Sequence, residues 1–187
     1  VPAGWEWCRM RDIYNFIDYR GVTPTKLSQG IPLITAKNVK SGYIDYTVDD
    51  YISTEEYAER HQRGISKLGD ILFTTEAPLG NAALADIEEY SAGQRLITLQ
   101  QYGHYNYLVN NVFMMFILGD FFQYQLDMNK TGSTVSGIKA ALLKNLWIPI
   151  PPLEEQYRIN EKISASIEMI DTIGESKVEL KNYIDIT

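Results

Sequence analysis

Cys8, His61 and His104 are the side chains of this chain most suited to act as nucleophile, proton carrier or metal ligand, and they lie far apart in sequence. Neither histidine falls into a motif with Cys8, and a lone histidine is most often a surface residue or a satisfied core residue. Structural zinc takes four clustered Cys or His ligands at short spacing, so one cysteine and two histidines argue against such a site. No GxxxxGK[ST] or GxGxxG run is present to cradle a phosphate, and the Gly/Pro loop at Glu76–Gly80 lacks a phosphate-loop lysine. The Asn/Asp-Pro-Pro-aromatic signature of amino-methyltransferases is missing too. The acidic pairs Glu55/Glu56 and Glu88/Glu89 read as solvated surface. The residues therefore predict no catalytic centre, no metal and no cofactor.

A different chemistry fits the polar loops. Reading DNA takes cations for phosphates, and amide, hydroxyl or guanidinium groups for base edges. Arg20, Thr23, Thr25 and Lys26 share one loop, and Lys37 and Asn38 follow a β-branched run. Thr74 and Thr75 end an apolar run ahead of the Gly/Pro loop. Gln94 and Arg95 follow Gly93, and Arg95 is the only Lys or Arg between Lys67 and Lys130. Lys130, Thr131, Ser133, Thr134, Ser136 and Lys139 surround Gly132 and Gly137, and glycine permits close backbone approach to a phosphate. Each group also has a plainer reading: a solvated turn, β-propensity, or an internal ion pair at Arg95. Tyr43, Tyr46 and Tyr102 read as core or rim rather than nucleic-acid contacts.

Charge points both ways. A net charge of −7 over 187 residues argues against nucleic acid. Yet no acid lies between Asp18 and Asp45, where Arg20, Lys26, Lys37 and Lys40 fall, nor between Asp127 and Glu154, where Lys130, Lys139 and Lys144 fall. The acids gather at Asp45, Asp49, Asp50, Glu55, Glu56 and Glu59 and in the tail. The two acid-free windows are expected to converge on one positive face, with chance clustering as the alternative.

These loops need a scaffold. Hydrophobic content of 45% supports a real core. A single cysteine excludes a disulfide framework within the chain and fits a reducing compartment. No basic-plus-apolar leader and no membrane-length apolar run appears, so a soluble, cytoplasmic protein is expected. The start at Val1 rather than methionine reads as a piece of a longer chain. The opening stretch, 4–21, reads as a short strand or turn followed by a loop. Strands are expected over Ile31–Thr35, after the Ser41-Gly42 turn, over Ile71–Thr74 and Ala82–Ala85, and after Gly93. Ser53, Glu55, Glu56 and Gly64 frame a short helix. Residues 110–130 read as one long buried helix. A polar loop, a short helix and a strand ending at the prolines complete residues 1–152 as a mixed-sheet α+β domain.

At "LWIPIPPLEEQ" three prolines fall within four residues, and a long helix follows over 153–187. Proline suits a helix start but not its interior, and it pushes the preceding residue extended. Pro151-Pro152 thus reads as a stiff corner. With Ile163 as a first heptad position, the seam holds Ile159, Ile163, Ile170, Ile173, Leu180 and Ile184, with Ser166 and Lys177 as exceptions. A helix of that length spans roughly 50 Å. It cannot bury its stripe on one compact domain, so it predicts a partner helix.

Several stretches, in this order, resemble one half of a specificity subunit of a Type I restriction–modification system. They are "GWEW" at 4–7, "RGVTPT" at 20–25, "GIPLITAKNVKSGYID" at 30–45, "GDILFTTEAPLGNAA" at 69–83, "GQRLITL" at 93–99 and "GSTVSGIKAALLKNLWIPIPPLEEQ" at 132–156, with the helical tail beyond. The resemblance implies a target recognition domain over 1–152 and a conserved-region helix over 153–187. It implies a module that reads one half of a split target in double-stranded DNA without chemistry of its own. Its partners would be methyltransferase and restriction subunits and a second half-subunit, or a second copy, through the antiparallel helix. The family usually carries two such halves in one chain, so this chain is either a piece of a longer subunit or a half-length dimerising form.

Two other classes stay open. Acidity and tyrosine content suit a protein–protein scaffold that uses the coiled coil without binding DNA. An enzyme would require a pocket of convergent titratable groups. A single positive face built by Arg20, Lys26, Lys37, Arg95 and Lys130 favours DNA over the scaffold.

Overall fold

A computed structural model describes residues 1–21, 23–103, 107–132 and 136–184, the side chains at 61, 171 and 175–184 excepted. In chain order the elements are β1 (Glu6–Arg9), α1 (Met10–Ile13), β2 (Tyr14–Asp18), β3 (Ile31–Ile34), β4 (Tyr51–Ile52), α2 (Thr54–Arg60), β5 (Ile71–Thr75), β6 (Leu79–Leu84), β7 (Ser91–Ala92), β8 (Leu96–Gln101), α3 (Asn110–Leu118), α4 (Asp120–Asn129), α5 (Ala140–Leu143), β9 (Trp147–Ile150) and α6 (Leu153–Ile184). The architecture is α+β with a long C-terminal helix.

The scaffold is a four-stranded antiparallel sheet in the order β2-β8-β5-β6. Successive strand side chains point to opposite faces, and here both faces are covered. Ile71 and Phe73 of β5 and Ile97 and Leu99 of β8 pack with Phe113, Ile117, Phe122 and Leu126 of α3 and α4. Leu72, Leu96 and Ala83 pack on the other face with Ile17, Ile34, Val39, Tyr90 and Ala92. Burial on both sides is why β5 reads as a continuous run rather than an alternation. A smaller sheet, β4-β3-β7, lies on this second face, with β3 antiparallel to β4 and parallel to β7. Gly30 opens β3 with φ +135°, and a Cβ there would lie 2.3 Å from the carbonyl oxygen of Ile52. Only glycine fits that approach.

β1 and β9 form a two-stranded antiparallel ribbon that pairs Cys8 with Ile148. It brings the start of the chain beside the prolines, where α6 begins. Gln156, 1% exposed, holds the first turns of α6 in place. Its Oε1 accepts the Val109 N–H at 2.8 Å, and its Nε2 donates to the Pro151 carbonyl at 3.0 Å. Asn111 donates to Asn160 at 2.8 Å one turn on. Ile159 and Ile163 are half-buried, whereas Ile170 and Ile173 are 66% and 61% exposed. Leu180 and Ile184 lie outside the described side chains. Among the described residues no helix is long and apolar enough to cross a membrane.

Four expectations need correction. The opening stretch holds two strands, β1 and β2, around the single turn of α1, where the Asp12 carboxylate accepts the Arg9 N–H at 2.9 Å. The segment after Ser41-Gly42 is a single bridge, Val39 to Ile44, because the Asn38 side chain takes up the Asp45 and Val48 carbonyls. The strand expected at Ala82–Ala85 runs over Leu79–Leu84. The helix expected over 110–130 is broken at Gly119, which is extended (φ −75°, ψ 156°) and caps both α3 and α4. Glycine costs about 1 kcal/mol in a helix interior. The break keeps Phe122 and Leu126 in the core and leaves Phe121, Tyr124 and Met128 exposed.

Candidate nucleic-acid interface

β2 and β5 run in the same direction on either side of the antiparallel β8. The ends of β2 and β5 and the start of β8 therefore share one end of the sheet, and the loops at 20–26, 76–78 and 93–95 gather there. Two further loops, those carrying Lys37 and Lys139, join them. The end of β5 holds the Arg95 loop, because the N–H and Oγ1 of Thr75 both donate to the Arg95 carbonyl, at 3.0 and 3.1 Å. It also holds the 131–139 loop, because the Ile138 N–H donates to the Thr75 carbonyl at 3.0 Å and Gly137 bridges Glu76. Thr131 and Gly137 exchange backbone hydrogen bonds at 2.8 and 2.9 Å, closing that loop at its base.

The result is a run of three adjoining hollows. One of about 230 Å³ is lined by Arg20, Thr75, Glu76, Gln94 and Arg95. A second, of about 200 Å³, shares Gln94 and Arg95 with it and adds Thr23, Lys26, Thr35 and Lys37. A third, of about 340 Å³, shares Arg20 and Glu76 with the first and adds Thr131, Gly137 and Lys139. Of the DNA-contact residues expected from sequence, the fold thus brings together Arg20, Thr23, Lys26, Lys37, Thr75, Arg95, Thr131 and Lys139. Lys130 does not line the hollows, and its Nζ pairs with Asp127 at 2.9 Å. Ser133 and Thr134 lie outside the described residues.

Three expected contact residues are buried and act from behind. Asn38 is 0% exposed. Its Oδ1 accepts from the N–H and Oγ1 of Thr35 at 2.9 and 2.8 Å, and its Nδ2 donates to the carbonyls of Asp45 and Val48, both at 2.9 Å. It fixes the turn that leaves Lys37 exposed. Thr74 is 0% exposed and its Oγ1 accepts the Asn81 N–H at 2.9 Å. Thr75, 1% exposed, backs the first hollow through the hydrogen bonds given above. Buried hydroxyl and amide groups must be satisfied, and these three are satisfied internally.

The two acid-free windows do meet, through Arg20, Lys26 and Lys37 from the first and Lys139 from the second, but most of the lining cations carry an acid partner. Acids fold onto three cations of the hollows: Asp18 on Arg20, Asp50 on Lys26, and Glu76 on Arg95 at 3.3 Å. Lys37 and Lys139 are the lining cations for which the described residues supply no ion pair. Partial burial of Asp18 opposes its ionisation, but hydrogen bonds from Arg20 and the charges of Arg20 and Arg63 outweigh it and hold its carboxyl below the ordinary value. Sequence reasoning missed these acids. Asp18 was detectable, because positions two apart at a strand end point the same way. Asp50 and Glu76 come from distant elements and carry no such local signal. Among the described residues no group of three or more His, Cys, Asp or Glu is placed to hold a metal.

Sheet, long helix and grouped polar loops together define a class, and comparison with known proteins bears on it directly. The family model described as the Type I restriction modification DNA specificity domain matches residues 2–182, and the chain belongs to that family. It is 26% identical over 186 residues to the Type I restriction enzyme EcoAI specificity subunit of Escherichia coli, covering 97% of this chain and 31% of that subunit. It is 29% identical to the MjaIX specificity subunit of Methanocaldococcus jannaschii, covering 99% of this chain and 42% of that one. The HsdS subunit from Thermoanaerobacter tengcongensis superposes with a TM-score of 0.64 at 19% identity, over 92% of this chain and 39% of that one. A chain from a study of complex assembly and conformational transition in a type I R-M system gives 0.70 at 20% identity, over 96% and 42%. The chain spans less than half the length of these relatives.

Proposed function

We propose that this chain is a non-catalytic DNA-reading module of a Type I restriction–modification complex. Residues 1–152 form one target recognition domain, and α6, Leu153–Ile184, forms a spacer helix. The observation that carries the reading is the convergence of five loops, separated by over a hundred residues of sequence, on one groove lined with guanidinium, ammonium, amide and hydroxyl groups. The groove recognises half of a split double-stranded target, while methyl transfer and cleavage belong to methyltransferase and restriction subunits. Ile159, Ile163, Ile170, Ile173, Leu180 and Ile184 of α6 pair with the helix of a second half-subunit or a second copy. The exposure of Ile170 and Ile173 supports that pairing.

The test is binding of random-sequence duplexes at low and moderate salt, wild type against Lys37→Ala/Lys139→Ala. The double variant should bind more weakly, with a log–log salt slope shallower by about two. The scaffold reading retains one specific support, the exposed stripe of α6 in a chain of net charge −7. It takes first place if wild type fails to bind DNA at low salt even with methyltransferase subunits present.

A further inference from the structure

We infer that Arg20 reads a guanine in the target and that Asp18 is the positioning residue that presents it. The inference rests on the DNA-reading function of the groove. Arg20 carries five N–H donors in a planar fork. The side-on pair is already used: Nε donates to Oδ1 of Asp18 at 2.8 Å and Nη2 to Oδ2 at 2.6 Å. One Nη1 N–H donates to the Ile138 carbonyl at 3.3 Å. One N–H on each terminal nitrogen is left, and the described residues give neither a partner. Two such donors match the O6 and N7 acceptors of guanine in the major groove.

The holding is rigid. Asp18 also accepts the Arg20 backbone N–H at 2.9 Å, and Arg63 donates to the carbonyls of both Asp18 and Arg20 at 3.3 Å. Among the described residues no other cation of the groove is fixed this way. Arg95 meets Glu76 through one contact at 3.3 Å, and the lysines have no planar fork.

Position and charge favour a base over a phosphate. The Arg20 side chain is 27% exposed, against 54% for Arg95 and 50% for Lys26, so those two cations are the more accessible to a phosphate. Arg20 also shares two hollows with Glu76 and is braced by Asp18. A phosphate placed there faces two carboxylates, whereas guanine is neutral.

The experiment is selection from a randomised duplex pool by the full chain, as wild type, Asp18→Asn and Arg20→Lys, with affinity measured on the selected sequences and folding followed by thermal melting. Arg20→Lys keeps the charge beside Asp18 and guards against a loss that reflects folding alone. Wild type should select a motif with a guanine, and both variants should relax preference at that one position by roughly 5- to 150-fold while the other positions hold. Equal weakening on all sequences with the motif intact makes Arg20 a phosphate contact and overturns the inference while the DNA-reading function stands. Relaxation spread over several positions makes the pair merely structural and also overturns it. Wild type that binds no duplex at low salt, even with methyltransferase subunits present, removes the DNA-reading function itself.

Discussion

Cys8 lies in β1 with its Sγ 3.6 Å from the Ile148 carbonyl, packed against the core that covers one face of the main sheet. Burial, and secondarily the charge of Asp12, pushes its thiol up to about 12. The thiolate is the reactive form, so the half-buried thiol of the native chain should react with Ellman's reagent at pH 8 far more slowly than that of the unfolded chain, and labelling should speed up on unfolding in denaturant. Prompt stoichiometric labelling of the folded protein would contradict the placement of β1 against β9. Asp18 tests the acid side. Its carboxyl titrates lower in the folded chain than in the unfolded chain, where the ordinary value is about 3.9. Its contribution to stability is therefore fully present above that value and is lost as pH falls through the folded one. Asp18→Asn should flatten the acid limb of a stability–pH profile between those two values. An acid limb unchanged by the substitution would mean that the Arg20 pair contributes nothing to the fold. Both residues show one rule: the partner, not the residue type, sets the role.

Among the elements, α6 gives the clearest division between what docks and what waits. Its first turns are tied down through Gln156 and Asn160, and beyond them Ile167, Met169, Ile170 and Ile173 stand in solvent. Ile170→Asp/Ile173→Asp should leave the melting of the domain within about 0.5 kcal/mol of wild type, as for surface changes in general. On the proposed pairing it should shift the chain to a smaller species in sedimentation. Domain unfolding in the double variant would instead place the stripe in the core. The start of this helix was legible in the sequence because Pro151-Pro152 admits few local geometries. β3, β5 and β8 were legible from β-branched and apolar runs bounded by glycines, and α2 from Ser53, whose Oγ accepts the Glu56 N–H at 3.1 Å. The Gly119 break was not, because 110–130 is apolar enough for one helix and tertiary packing decides where it bends. The groove was half legible. Arg20, Lys26, Lys37, Arg95 and Lys139 announce themselves as cations in Gly- and Thr-rich loops. Asn38, Thr74 and Thr75 carry the same polar groups, and sequence alone does not distinguish a hydrogen bond made to backbone from one offered to a ligand.

At the scale of the whole molecule, a net charge of −7 has to be reconciled with a groove proposed to hold a polyanion. The acids follow a pattern: Asp18, Asp50 and Glu76 each sit on a lining cation, so three of the five lysines and arginines of the groove already have a carboxylate partner. Sequence-independent binding is driven by phosphate neutralisation and counterion release, and it scales with the number of available cations. On the proposed function, pairing most of those cations internally would hold such binding down and leave discrimination to fixed groups that meet base edges. Glu76 is the place to test this. Its contact with Arg95 is long, at 3.3 Å, and both side chains are about half exposed. An exposed pair of this kind contributes about 0–1 kcal/mol, so Glu76→Gln should barely change the melting temperature. It should release Arg95, raise affinity for random-sequence duplexes, and steepen the log–log salt slope by about 0.9. The ratio of selected-target to random-sequence affinity should fall accordingly. Measuring that slope beside the shallower one expected of Lys37→Ala/Lys139→Ala gives two changes of opposite sign in one groove. Unchanged or weaker random-sequence binding in Glu76→Gln would show that the acid partners do not restrain the groove, and the charge of the chain would then need a cause in the partner subunits.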